Sequence, residues 1–219
     1  NNRIYFAPFC VDNSVFVLNE SEYKTARSEF RGQWDIPSDS TVVLFASKFT
    51  MQKRPTDLIE AFSRIIQADK NLYLVLAGSG PEETSLRSMA NKLCPGRTRF
   101  VGFQNQTELP SLYAASDIFV LPSGEESWGL VVNEVMAAGL PVVVTDEVGA
   151  APDLVDGKKT GIVYSCGDTD ALVTALDTML RSEEKRLEMG RNARELISAW
   201  NINACVQGVI RAVESVCKK

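Results

Sequence analysis

The sequence predicts an α/β chain built on a doubly wound parallel sheet, and three observations carry that expectation. Short apolar runs rich in β-branched residues recur along most of the length with little polar alternation, as strands covered on both faces require. Between them lie stretches whose apolar residues fall at helical spacing. Strand and helix then alternate at intervals of about 25 residues, the rhythm of right-handed βαβ units.

Taken in order, Ile4-Tyr5-Phe6 reads as a strand already under way. Thr41–Ala46 (TVVLFA) is the next strand. The helix Asp57–Gln67 follows it, with Leu58, Ile59, Phe62, Ile65 and Ile66 on one stripe and Pro55 suited to the first turn. The strand Leu72–Ala77 (LYLVLA) leads to a helix over Glu82–Lys92, and Thr98–Val101 to one over Glu108–Ala115. Asp117–Leu121 (DIFVL) precedes the helix Leu130–Ala138, and Pro141–Thr145 (PVVVT) ends the series of strands. Ala171–Leu180, carrying Leu172, Ala175, Leu176 and Met179, and the amphipathic Ile202–Val216 form a helical C-terminal tail after about Asp168. No internal repeat or low-complexity linker divides residues 1–219, so one Rossmann-like domain is expected. In such sheets ligands lie beyond the carboxyl ends of the strands, which directs attention to the loops after Ala46, Ala77, Val101, Leu121 and Val144.

Composition narrows the chemistry. The 219 residues are 45% hydrophobic and 23% charged, and at this size folding hides roughly 70% of the unfolded surface, so a core needs no staples. Asp and Glu number 28 against 23 Lys and Arg, a formal charge of −5 with no long basic run, which argues against a nucleic-acid partner. Histidine is absent, which removes His-based general-base catalysis, the Ser-His-Asp triad and most zinc or iron sites within this chain. Cys10, Cys94, Cys166, Cys205 and Cys217 are odd in number and form no CxxC pair, so they read as reduced thiols of a cytoplasmic compartment. No apolar run approaches the ~20 residues that cross a bilayer, and no secretory leader is expected. The chain opens on Asn1 rather than Met and reads as a piece of something longer.

Three segments carry chemistry. The loop Ala46-Ser-Lys-Phe-Thr-Met-Gln-Lys-Arg-Pro55 holds Lys48, Lys53 and Arg54, with no acid between Asp39 and Asp57. Such a cluster at a strand's carboxyl end would attract an anion such as a diphosphate; the plainer alternative is a solvated basic loop. Gly78-Ser-Gly80-Pro81 begins like a glycine-rich phosphate turn but lacks the third glycine. Glu82 and Glu83 would also repel a phosphate from the helix that follows, so Gly78 reads first as a tight turn admitting another backbone or the ligand. The third segment runs from Pro122 to Pro141, where a polar loop precedes a helix opening near Gly129. The free amides of that first turn would point toward the Lys48 loop. Glu126 lies just before the helix and Glu134 within it, among Leu130, Val131, Val132, Val135 and Met136, where a carboxylate wants a specific partner. Two carboxylates at this spacing suit the hydroxyls of a sugar and a ribose, with phosphates held between them. Asp153 and Asp156 read as turn or cap residues, and Trp34, Trp128 and Trp200 as packing residues.

With these motifs in order, the chain resembles the carboxyl-terminal half of a retaining GT-B glycosyltransferase of family 4, the "glycosyl transferases group 1". The family's E-x7-E hallmark, usually E-x-F-G-x4-E, is matched by Glu126-Ser-Trp128-Gly129-Leu-Val-Val-Asn-Glu134 with Trp for Phe. Ile4-Tyr-Phe-Ala-Pro-Phe-Cys-Val-Asp12 resembles the family's "IPNGVD", Lys48…Lys53 falls where it carries Arg…Lys, and Gly78-Ser-Gly-Pro81 resembles "GxGP". Val101-Gly102-Phe103 resembles "FxG", and Gly139-Leu-Pro-Val142 resembles "GxPV". Ser47 and Arg54 stand where glycines are common in the family, and Lys48 replaces an arginine, losing its bidentate fork but keeping the charge.

The resemblance implies a donor-binding domain of a hexosyltransferase that uses a nucleotide-diphosphate sugar. Lys48 and Lys53 would then hold the diphosphate and offset charge on the departing nucleotide, helped by the amides of Gly129 and Leu130. Glu126 would contact the donor sugar near the reacting centre, Glu134 the ribose hydroxyls, and Gly102-Phe103 would border the base. No metal or other cofactor is called for. The amino-terminal acceptor domain is absent from this chain, so the isolated domain is expected to transfer weakly or not at all. A sugar or lipid-linked acceptor would be met through that other domain, with peripheral membrane association open to the whole enzyme. The alternatives are a non-catalytic nucleotide-binding module and a GT-B-like sugar-nucleotide epimerase.

Overall fold

Six parallel strands form one sheet: β1 (Thr41–Ala46), β2 (Leu72–Ala77), β3 (Thr98–Gly102), β4 (Ile118–Leu121), β5 (Val142–Thr145) and β6 (Gly161–Tyr164). The structure, a computed structural model, describes residues 4–69 and 71–217. The strands are arranged β3-β2-β1-β4-β5-β6. The chain winds outward from β1 to β3, returns to the other side of β1, and winds outward again. This order reverses between β1 and β4, and there the connections leave on opposite faces and open a crevice beyond the strand ends.

The alternation of side chains on each strand divides the core in two. Val42, Leu44, Val75, Phe119, Leu121, Val142 and Val144 face one layer, made by α1 (Glu20–Gln33), α4 (Leu109–Ala114), α5 (Leu130–Ala137) and α7 (Glu183–Ser198). Val43, Phe45, Leu74, Leu76, Ile118, Val120 and Val143 face the other, made by α2 (Pro55–Ile65), α3 (Glu83–Leu93) and α6 (Thr169–Leu180). With both faces covered, the strands are apolar at almost every position, as their sequences indicate. The C-terminal segment is helical as expected, but α6 buries Leu172, Leu176 and Met179 within the second layer and α7 contributes Ala193 and Ile197 to the first. Helix α8 (Ile202–Cys217) leaves an apolar stripe in solvent, through Val206, Val209, Val213 and Val216.

Four elements depart from the sequence reading. Ile4–Phe6 is irregular rather than a strand: the sheet ends at β3 and β6, Ile4 is exposed, and the Phe6 ring packs edge-on against Trp200. Helix α1 was not anticipated because little of it is apolar. A capping box between Asn19 and Glu22 starts it, and Arg27 and Arg31 pin it to Asp117 at 2.7 and 2.8 Å. Asp117 Oδ2 also accepts from the Val42 N–H, so one carboxylate ties helix to sheet. Strand β6 and helix α7 also add to the expected set. Among the described residues no helix is long and apolar enough to cross a membrane.

Candidate functional site: the crevice at the strand-order reversal

The loop leaving β1 is shaped by backbone contacts. Phe49 is buried and its N–H reaches the Ser79 carbonyl at 3.0 Å, while the Ser47 N–H reaches Ala77. Gly78 lies so close that a Cβ there would collide with the Ser47 carbonyl, and its φ of +138° is one that other residues rarely adopt. The GxG segment is thus the close-packed turn expected of it. Further along, Met51–Lys53 form a short 3-10 turn and Arg54 follows at φ 49°, ψ 43°, the left-handed region. Its guanidinium bonds Asp57 at 2.7–2.8 Å, which holds the turn and starts α2 on Pro55. Lys48 is exposed and projects beyond the sheet, and Lys53 is directed back toward the loop after β4.

That second loop meets the first. The Gly124 N–H donates to the Gln52 carbonyl at 2.8 Å, and the Lys53 ammonium forms a close ion pair with Glu126. Both side chains are about four-fifths buried, at 18% and 20% exposure, so the pair is screened far less than a surface one. Gly129, at φ +90°, caps α5 with no side-chain acceptor; the Val132 N–H turns back to the Gly129 carbonyl at 2.8 Å, and the Leu130 and Val131 amides precede it at the helix start. Trp128 is anchored behind them: its indole N–H donates to Asn133 Oδ1 at 2.9 Å, and Asn133, fully buried, donates to the Phe9 carbonyl at 3.0 Å. Phe9 stacks on Trp128 at 5.0 Å, Trp128 on Trp200 at 5.4 Å, and Phe6 meets Trp200 at 5.1 Å, an aromatic row from the N-terminal segment to the rim of the crevice.

A cavity of about 400 Å³ lies at the carboxyl ends of β1, β2 and β3. Its lining includes Ser47, Lys48, Gly78, Ser79, Phe103 and Gln104 from the loops, Leu109 and Tyr113 from α4, and Val131 and Glu134 from α5. Glu134 is half-buried and no cation pairs with it among the described residues. Its Oε2 accepts from the Tyr113 hydroxyl at 2.6 Å. Burial pushes the Glu134 carboxyl above its ordinary range, and the hydrogen bond from Tyr113 draws it part of the way back.

Residues 26–196 match the family of glycosyl transferases group 1. The chain belongs to that family. Among relatives of this glycosyl transferases group 1 domain, N-acetyl-alpha-D-glucosaminyl L-malate synthase of Bacillus anthracis is 31% identical over 183 residues, 83% of this chain and 47% of that one. D-inositol 3-phosphate glycosyltransferase of Corynebacterium glutamicum (strain R) is 35% identical over 177 residues, 78% of this chain and 42% of that one. The chain therefore spans about half the length of the curated relatives it matches. Among solved structures, Anabaena HepE in complex with UDP shares the fold with a TM-score of 0.82 at 24% identity, over 94% of this chain and 56% of that one.

In this group 1 glycosyltransferase domain, the cavity brings together Lys48, Gly78, Phe103 and Glu134 from four separate stretches of sequence. Gly102 stands directly behind, its carbonyl accepting from the Gly78 N–H at 2.8 Å. Lys53 and Glu126 meet each other beside the α5 N-terminus, where Gly129 and Leu130 open the helix. Tyr113 and Asn133, to which the sequence reading gives no role, hold Glu134 and Trp128 respectively. A buried tyrosine hydroxyl needs a partner, and that need is the one signal the segment Ser111-Leu-Tyr113 gives.

Proposed function

We propose that this chain is the donor-binding half of a retaining hexosyltransferase that takes its sugar from a nucleoside diphosphate. The observation that carries the proposal is the cavity that gathers Lys48, Gly78, Phe103 and Glu134 together with Val131 of the first turn of α5, while the Lys53–Glu126 pair stands in the loop that leads into the same helix. Breaking the bond between sugar and diphosphate places new negative charge on the departing nucleotide. Lys48, Lys53 and the amides of Gly129 and Leu130 would stabilise that charge, which is electrostatic catalysis of the leaving group. They supply the positive charge without a metal or other cofactor.

In the proposed complex Glu126 stays paired with Lys53 and accepts hydrogen bonds from the donor sugar. Lys53 bridges that carboxylate and the diphosphate, so sugar and leaving group are registered against each other. Glu134 accepts from the ribose hydroxyls, and Gly102 and Phe103 border the base. Phe103 is 74% exposed, free to be covered by a flat ring. The fold shared with a structure containing UDP supports a nucleotide donor, and retention rests on the E-x7-E resemblance. The acceptor, a sugar or a lipid-linked sugar, would meet the donor through a further domain. A cytoplasmic setting with peripheral membrane association belongs to the same proposal. The test is calorimetric titration of the chain with UDP, GDP and ADP and then their hexose conjugates. Binding of one base, lost when Lys48 and Lys53 are both neutralised, is the expected result; no binding by any of them overturns the proposal.

A further inference from the structure

Tyr113 is 1% exposed and its ring packs on Phe16, with centroids 5.8 Å apart. Phe16 is itself buried in the short 3-10 turn Asn13–Phe16, which Asp12 caps. The phenol is thereby fixed from behind and meets the cavity beside Glu134. Its hydroxyl has one partner among the described residues, Glu134 Oε2 at 2.6 Å. A buried phenol facing a carboxylate stays protonated: burial first, and the Glu134 charge second, push its ionisation far above the ordinary tyrosine range. It is therefore a permanent donor. Glu134, in turn, has no cation to hold its charge among the described residues, and burial works against ionisation. A protonated Glu134 would lose an acceptor and present a donor instead.

We infer that Tyr113 is a positioning residue for recognition of a vicinal diol, fixing Glu134 as an ionised double acceptor for the two ribose hydroxyls of a nucleoside diphosphate. The inference rests on the donor reading above and adds to it the group that makes Glu134 selective. With one lone pair of Oε2 taken by Tyr113, the carboxylate cannot rotate away, and Oε1 and the second lone pair of Oε2 are left for two adjacent hydroxyls. Selectivity follows because a site with committed acceptors rejects a ligand lacking the hydroxyls more strongly than an apolar wall would.

The experiment is calorimetric titration of the 219-residue chain, from pH 5 to pH 8, with UDP, GDP and ADP and with their 2′,3′-dideoxy counterparts. The variants are Tyr113→Phe, which keeps the ring, Glu134→Gln, and the two combined. The expected wild-type preference for the ribose form is about tenfold. Tyr113→Phe should reduce it to about twofold and move the acid-side loss of ribonucleotide binding to higher pH, because the donor that lowers the Glu134 pKa is gone. Dideoxy ligands should show neither change, and Tyr113→Phe should add nothing in the Glu134→Gln background. A Tyr113→Phe variant with unchanged preference and pH profile, beside a Glu134→Gln variant that has lost the preference, overturns the role of Tyr113 and leaves the donor reading standing. A wild-type chain that binds none of the three nucleotides overturns the donor reading, and Tyr113's role with it.

Discussion

Glu126 and Glu134 belong to one loop–helix unit and to one sequence motif, yet the fold gives them opposite company. Glu126 faces the Lys53 ammonium in a close ion pair whose two side chains are both mostly buried. Glu134 faces a phenol, and no cation pairs with it among the described residues. The first carboxylate is held by charge and the second by a single neutral donor. Spacing along one loop–helix unit therefore says little about a carboxylate's partner; the element that crosses in front of it decides. For Glu126 that element is the loop after β1, and for Glu134 it is α4.

The comparison breaks most readily at the cations. Neutralising Lys48 and Lys53 together should weaken nucleoside diphosphate binding by a hundredfold or so, on the order of 3 kcal/mol, by calorimetry. Retained affinity in that variant would show that the α5 amides suffice. Next in size, Glu134→Ala should weaken binding of the nucleoside diphosphate itself by about tenfold. Glu126→Ala should leave that value nearly unchanged and remove the added affinity of the hexose conjugate. Equal binding of a nucleoside diphosphate by wild type and Glu134→Ala would sink the assignment.

A third expectation concerns stability. The folded-state pKa of Glu134 is raised, so its protonated form is the one the fold favours. Its stabilising contribution is complete below the unfolded carboxylate value and is lost as pH rises through the folded one. Glu134→Gln should therefore melt higher than wild type at pH 7, by a few degrees, with the gap closing as pH falls toward 4. A constant gap across that range would mean that Glu134 ionisation carries no strain. The smallest effect belongs to the turn that delivers Lys53. Arg54→Ala keeps the left-handed backbone and loses the Asp57 pair, whereas Arg54→Gly loses the pair but relaxes the backbone. The glycine variant should be the more stable of the two by about 1 kcal/mol in thermal melts.

What could be read from sequence follows burial and charge. Strands β1 to β5 are legible because burial on both faces writes a nearly continuous apolar run. Strand β6 is four residues at the sheet edge, half exposed and preceded by Lys158-Lys159-Thr160, so it leaves no such run. Helix α1 is legible only once Asp117 is seen to sit against Arg27 and Arg31, some ninety residues away in sequence. The same distinction holds at the crevice. Lys48 and Lys53 show in the sequence as a basic loop without an acid, Glu134 as a charge among apolar neighbours, and Glu126 by its spacing from Glu134. Tyr113 and Asn133 look like ordinary residues of helices, and their roles come from α4 packing on Phe16 and from the Phe9 carbonyl meeting α5. Such partners are set by tertiary approach, which no local spacing encodes.

The aromatic row has an optical consequence. The Trp128 and Trp200 indoles, 5.4 Å apart and inclined at 23°, are close enough for their transition dipoles to couple. Their near-ultraviolet circular dichroism should carry a split, exciton-type signature, and Phe9 on the outer face of Trp128 makes that signature depend on the N-terminal segment as well. The third indole, Trp34, packs on Phe30 and takes no part in the row. Trp128 stands two residues after Glu126, so a movement of that loop that reached the indole would be read in the unlabelled absorption and emission spectra of the pair.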